Sequence, residues 1–136
     1  MQPDFQLAIG SGDVEAVRAF LDDGTDVNAL DRFGQSGLMR ASMRGHTEVV
    51  RLLIERGAHL DVAAKYGLTA LMLAIVNDRE AIAVALIEAG ADLKPTGSGA
   101  PGFAGHTALD LARARSLEAI VAAIEAREGA ERQSGG

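Results

Sequence analysis

Between Thr47 and Gly57 apolar and polar residues recur with the period of a helix. Val49, Val50, Leu52 and Leu53 form one stripe, and Glu48 and Glu55 fall outside it. The pattern predicts a short amphipathic helix stopped at Gly57, where a left-handed backbone costs glycine little. Upstream, Ser36 stands where a hydroxyl can accept from an orphan N–H of a first helical turn. Leu38, Ala41 and Ser42 then share one face until Gly45 interrupts them. The reading is two short helices, followed by an extended turn, "AHLDVAAKYG".

This unit recurs. Gly34 falls on Gly67, Ser36 on Thr69, Leu38 on Leu71, Ala41 on Ala74, Leu53 on Leu86 and Gly57 on Gly90, a period of 33 residues. One period back, Ala8, Gly12, Val17 and Gly24 match Ala41, Gly45, Val50 and Gly57. Further on, "GHTALDLARA" repeats "GLTALMLAIV" after 38 residues, so five extra residues separate units three and four. Thr69 and Thr107 take the capping place of Ser36.

A helix pair of this length cannot bury its apolar stripe alone, whereas stacked pairs share a continuous core. The expected architecture is an all-α solenoid of one domain, 1–136. Its units span about 1–30 (an N-terminal cap), 31–63, 64–96 and 97–128 (a C-terminal cap). An enlarged loop at 95–105 and a polar tail at 129–136 complete it.

Composition narrows the function. Apolar residues make up 48% of the chain but aromatics only 4%, which favours close-packed helices over an aromatic-rich sandwich. The net charge of −6 argues against general nucleic-acid binding, though a local basic patch remains open. No cysteine is present, which removes disulfides and thiolate chemistry. The first residues, "MQPDFQLAIGSGD", lack the basic start and apolar run of a signal peptide, and no segment reaches the roughly 18 apolar residues of a membrane span. A cytoplasmic protein is expected, without membrane contact and monomeric by itself.

The stretches "GQSGLMRASMRGHTEVVRLLIERGAHLDVA", "GLTALMLAIVNDREAIAVALIEAGADL" and "GDVEAVRAFLDDGTDVNALD" resemble the ankyrin repeat family, with its D-x-x-G-x-T-P-L-H-x-A-A, G-H-x-E-V-V-x-L-L-L and G-A-D-V-N pattern. The likeness runs from about Phe5 to about Arg127. It departs at the T-P-L-H box, which reads Ser36-Gly37-Leu38-Met39, Thr69-Ala70-Leu71-Met72 and Thr107-Ala108-Leu109-Asp110, without the histidine. Gly37 is expected to weaken its helix by about 0.5–1 kcal/mol relative to alanine. Unit three has Asn77-Asp78-Arg79 in place of Arg44-Gly45-His46.

The resemblance implies a protein-binding scaffold without catalysis or cofactor, using its hairpin tips and the exposed face of each first helix. Carried onto this chain, the tips are Arg32, Phe33 and Gln35, then Lys65, Tyr66 and Leu68, then Phe103, Ala104 and His106. The helix positions are Arg40, Met43 and Arg44, then Val76 and Asn77, then Ala114 and Arg115. Spacing alone also puts Arg40, Met43 and Arg44 on one face. The face gathers the cations Arg32, Arg40, Arg44, Lys65 and Arg115 with the aromatics Phe33, Tyr66 and Phe103. Arginine and aromatic side chains are enriched at interface hot spots. The expected ligand is an acidic or phosphorylated protein segment. A regulatory or inhibitory subunit of an enzyme is the alternative.

Other motifs add little. "GSGAPG", Gly97 to Gly102, has the letters of a dinucleotide fingerprint, but it lies in the insertion and follows no strand, so a hairpin is expected. His46, His59 and His106 have no metal-ligand spacing. Ser36 is a cap and not a nucleophile, since no G-x-S-x-G surrounds it.

Overall fold

A computed structural model describes residues 1–98 and 103–135. Helices come in four pairs: α1 (Pro3–Ser11) with α2 (Val14–Asp22), α3 (Gly37–Arg44) with α4 (Thr47–Glu55), α5 (Ala70–Val76) with α6 (Glu80–Glu88), and α7 (Ala108–Ala114) with α8 (Glu118–Gly135). The first helices α1, α3, α5 and α7 pack in series, and α2, α4, α6 and α8 form a second row behind them. Isolated bridges, Leu30 with Ser36 and Gly97 with Ala104, are the sheet-like contacts among the described residues.

The predicted caps are in place. Ser36 Oγ accepts from Met39 N at 3.2 Å, and Thr69 Oγ1 from Met72 N at 3.4 Å. Thr107 and Asp110 form a reciprocal capping box, with 3.2 and 3.0 Å bonds. The Thr107 backbone N–H foremost holds the Asp110 carboxyl below its ordinary value of 3.8.

The period becomes columns of buried side chains. Val17, Val50 and Ala83 are fully buried at successive levels of the second row. Ala41, Ala74 and Ala112 do the same in the first row, and Ala8 is buried at its start. The small side chain lets neighbouring helices approach closely. Their carbonyls accept from Asp13, His46, Arg79 and Leu117 N–H groups at 2.7–3.0 Å. Each such bond closes a turn whose preceding residue is left-handed: Gly12, Gly45, Asp78 and Ser116. Between rows of turns, Asn28 Oδ1 accepts from His59 N at 2.7 Å, and one period on Asp61 Oδ1 accepts from Asp92 N at 2.8 Å.

Two differences from expectation have physical reasons. Helix α8 continues through Gly135, where a polar tail was expected at 129–136. Arg127 holds this extension. It bonds Glu131 one turn along at 3.1 Å and donates to the carbonyls of Ile87 and Ala91, at the end of α6. Gly37 does more than weaken a helix: a Cβ there would lie 2.7 Å from Ile9 Cδ1, so glycine lets α1 and α3 close up. The last four letters of "GSGAPG", residues 99–102 at the centre of the 95–105 loop, lie outside the described residues.

Candidate functional site

The hairpin of unit two is built around Asp31. Its Oδ1 accepts from the backbone N–H groups of Phe33 and Gln35, at 2.8 and 3.0 Å. Its Oδ2 takes Arg40 Nη1 at 3.1 Å. The Asp31 side chain is 1% exposed and that of Arg40 is 15% exposed. Unit three has Ala64 in this place and keeps only the backbone bonds, Ala64 N to the Leu68 carbonyl and Gly67 N to the Ala64 carbonyl, each 3.0 Å. Its tip tightens into a 3-10 turn, Lys65–Gly67, with Tyr66 at φ 64°.

Each tip then offers the same pairing. The Arg32 guanidinium lies 5.0 Å from the Phe33 ring centre, and the Lys65 ammonium 4.9 Å from that of Tyr66. Phe33 is 65% exposed and Tyr66 38%. Tyr66 also meets Phe103 at 6.4 Å between ring centres, so the tips of units three and four touch through their aromatics. Arg44 is exposed at the end of α3, while Gln35 and Met43 are half-buried.

Four of the expected site residues are otherwise engaged. Leu68 is buried, because an apolar side chain at the foot of the hairpin turns into the core beside Thr69. Arg40 serves the Asp31 hairpin, and its Nε is buried without a partner among the described residues. Asn77 is exposed but its Nδ2 donates back to the Leu73 carbonyl of α5 at 2.8 Å. Arg115 lies 3.6 Å from Asp78. Of the five cations, Arg32, Arg44 and Lys65 have no salt bridge among the described residues.

Helix α1, outside the positions that the family resemblance implies, borders the same face. Leu7, on α1, is 71% exposed, and Leu30, before the first hairpin, is 45% exposed. Stepping the period back from Arg40 lands on Leu7, a signal that was available. An open cleft of about 490 Å³ between α1 and α3 is lined by Gln6, Leu7, Gly10, Arg40 and Arg44, among others. A second, of about 570 Å³, shares Gln6 and reaches Leu30, Arg32 and Phe33. Among the described residues no three His, Asp or Glu side chains converge as a metal site would require, and no helix is long and apolar enough to cross a membrane.

Stacked helix pairs with projecting hairpins and a shared core define a helical-repeat solenoid, a class whose exposed edge serves recognition. The chain belongs to the ankyrin-repeat family: the family described as ankyrin repeats (3 copies) matches residues 5–96. Among solved structures it is similar to the ankyrin-like immunity protein in the complex of the Bd0816 predatory endopeptidase from Bdellovibrio bacteriovorus with immunity protein Bd3460. The identity is 28% and the TM-score 0.80, over 93% of this chain and 64% of that chain. This chain thus spans less than two-thirds of its neighbour's length. No curated protein sequence matches it significantly.

Proposed function

We propose that this chain is a non-catalytic module that binds a partner protein through its hairpin tips and first helices, and that the bound element is an acidic or phosphorylated segment. One observation carries this reading: two successive tips present an exposed aromatic ring under a cation that has no carboxylate partner among the described residues. Folding gains little from leaving such rings in water, whereas a partner that desolvates them gains both apolar area and cation–π attraction. Arg32, Arg44 and Lys65 supply the positive charge. Arg40 is already bonded to Asp31.

The test is capture of the native partner from lysate by the chain and by an Arg32→Glu/Lys65→Glu variant. Both side chains are exposed, so folding is retained. The expected result is loss of capture in the variant. Capture at unchanged strength would move the site elsewhere.

A second reading, an inhibitory subunit of an enzyme, is favoured by the likeness to an immunity protein solved with an endopeptidase. A single stoichiometric enzyme, peptidase or other, co-purifying with the chain and losing activity in its presence supports that reading. Several non-enzyme partners count against it.

A further inference from the structure

Exposed apolar area and several cationic side chains come together between units one and two. Among the described residues four large apolar side chains are exposed, Leu7, Leu30, Phe33 and Tyr66. Three of them line the two clefts that meet at Gln6. So do three arginines, Arg32, Arg40 and Arg44, against one carboxylate, Asp31. That carboxylate is buried and already bonded to Arg40. The two clefts adjoin at Gln6 and together make a trough between units one and two, with Arg44 toward one end and Arg32 toward the other.

Gly10 shapes the floor. It lies inside α1 and not at a turn, where glycine is less favourable than alanine. A Cβ on Gly10 would lie 3.9 Å from Arg40 Nη2 and 3.9 Å from Arg44 Nε and Cζ. Both guanidinium groups thus lean over α1 at the one residue without a side chain. Arg40 is bound to Asp31, while Arg44 has no salt bridge among the described residues. A carboxylate placed here would meet an unneutralised guanidinium beside an apolar wall, Leu7.

We infer that this trough receives an extended internal segment of a partner chain, with an acidic residue at Arg44 and an aliphatic or aromatic residue at Leu30 and Phe33. This rests on the reading of the chain as a protein-binding module. The continuity of the two clefts favours a segment passing through over a chain end stopping at Arg44. Between the hairpin and Arg44 lies the length of α3, eight residues or about 12 Å. An extended chain covers that in roughly four residues. The matching motif is apolar-x-x-x-acidic. Such a segment lies along the helices, at the first junction of the stack, and adds Leu7, Gly10 and Leu30 to the face.

The experiment uses the full chain, isotope-labelled, and two synthetic peptides capped at both ends. One is acetyl-Leu-Ser-Gly-Ser-Glu-Gly-amide, and the other has Gln in place of Glu. Backbone amide shifts are followed at millimolar peptide. The Glu peptide is expected to move Gly10, Ser11 and Arg44 at one end and Arg32 and Phe33 at the other. The Gln peptide should bind about tenfold more weakly, as should the Glu peptide to Arg44→Gln. Leu7→Ser should weaken both peptides. Leu7 and Arg44 are exposed, and an unchanged amide spectrum elsewhere confirms that each variant folds. Equal binding of the two peptides, shifts confined to the second-row helices, or no localised shifts overturns the trough. None of these outcomes touches the tip reading, whose own test is capture by the Arg32→Glu/Lys65→Glu variant.

Discussion

Arg79 donates from Nε to the Met43 carbonyl at 3.3 Å, one period along from the 2.8 Å contact between His46 Nε2 and the Gly10 carbonyl. The two side chains do the same work with different chemistry. Each folds over the preceding turn. A Cβ on Gly12 would meet His46 Nδ1 at 2.6 Å, and a Cβ on Gly45 would meet Arg79 Cζ at 2.9 Å. Each carries a hydrogen bond from the start of a second helix back to the previous unit's first helix. The third junction has Leu117 in that place and no such donor.

These bonds differ in burial, which sets the expected cost of removing them. His46 is half-buried, and His46→Ala should destabilise by about 1–2 kcal/mol. Arg79 is exposed, and Arg79→Ala should cost about 0.5 kcal/mol. Urea denaturation of the two variants checks the order. Equal losses would mean that the exposed guanidinium link is as strong as the sheltered imidazole one.

The left-handed turns give a second prediction. Gly12 and Gly45 fill this position in units one and two, but Asp78 and Ser116 adopt φ 59° and 56° in units three and four. A residue with a Cβ bears a cost of about 1–2 kcal/mol there, less for Asp, whose side chain tolerates the region. Ser116→Gly should therefore stabilise by about 1 kcal/mol, read as a raised thermal midpoint. Asp78→Gly should gain less, since it also loses an exposed pair with Arg115 that contributes little. A lowered midpoint in Ser116→Gly would show that the serine side chain contributes more than its backbone strain removes.

Much of this fold was legible because repetition averages out local noise. One Gly or Ser says little, but Gly34 over Gly67 and Ser36 over Thr69 and Thr107 fix turns and caps at once. The buried columns follow from the same register. The candidate face was legible only in part, because its residues are what the period leaves free. Nothing in the spacing distinguishes Arg44, which is exposed and unpaired among the described residues, from Arg40, which turns back to Asp31. Leu68 was placed at a tip by register, while its apolar side chain obeys burial. Leu7 was passed over because unit one lacks the leading turn that marks the other units.

The Asp31–Arg40 pair yields a prediction that separates hairpin from interface. Arg40→Ala leaves a buried carboxylate with only its two backbone donors, and should destabilise by about 2–3 kcal/mol. Arg44→Ala, one turn on, should change stability by less than about 0.5 kcal/mol. Denaturation midpoints of the two variants measure this directly. A neutral Arg40→Ala would return Arg40 to the binding face.

Gly37 and Ile9 offer a test in which one substitution changes sign with its background. Alanine at Gly37 would gain about 0.5–1 kcal/mol of helix propensity. It would also bring Cβ to 2.7 Å from Ile9 Cδ1, in a side chain with no exposed area and little room to withdraw. Overpacking of this kind costs about 1–3 kcal/mol, so Gly37→Ala alone should destabilise by about 1 kcal/mol. Ile9→Val deletes the Cδ1 atom, at about 0.5–1.5 kcal/mol. The next neighbours of the new Cβ are Leu53 Cδ1 at 3.8 Å and Ile9 Cγ1 at 3.9 Å, which are ordinary contacts. In the Ile9→Val background the same Gly37→Ala change should therefore stabilise by about 0.5–1 kcal/mol. A double-mutant cycle by urea denaturation reads the coupling. Additive effects would show that α1 and α3 are not held apart at this atom, and that glycine here has no packing role.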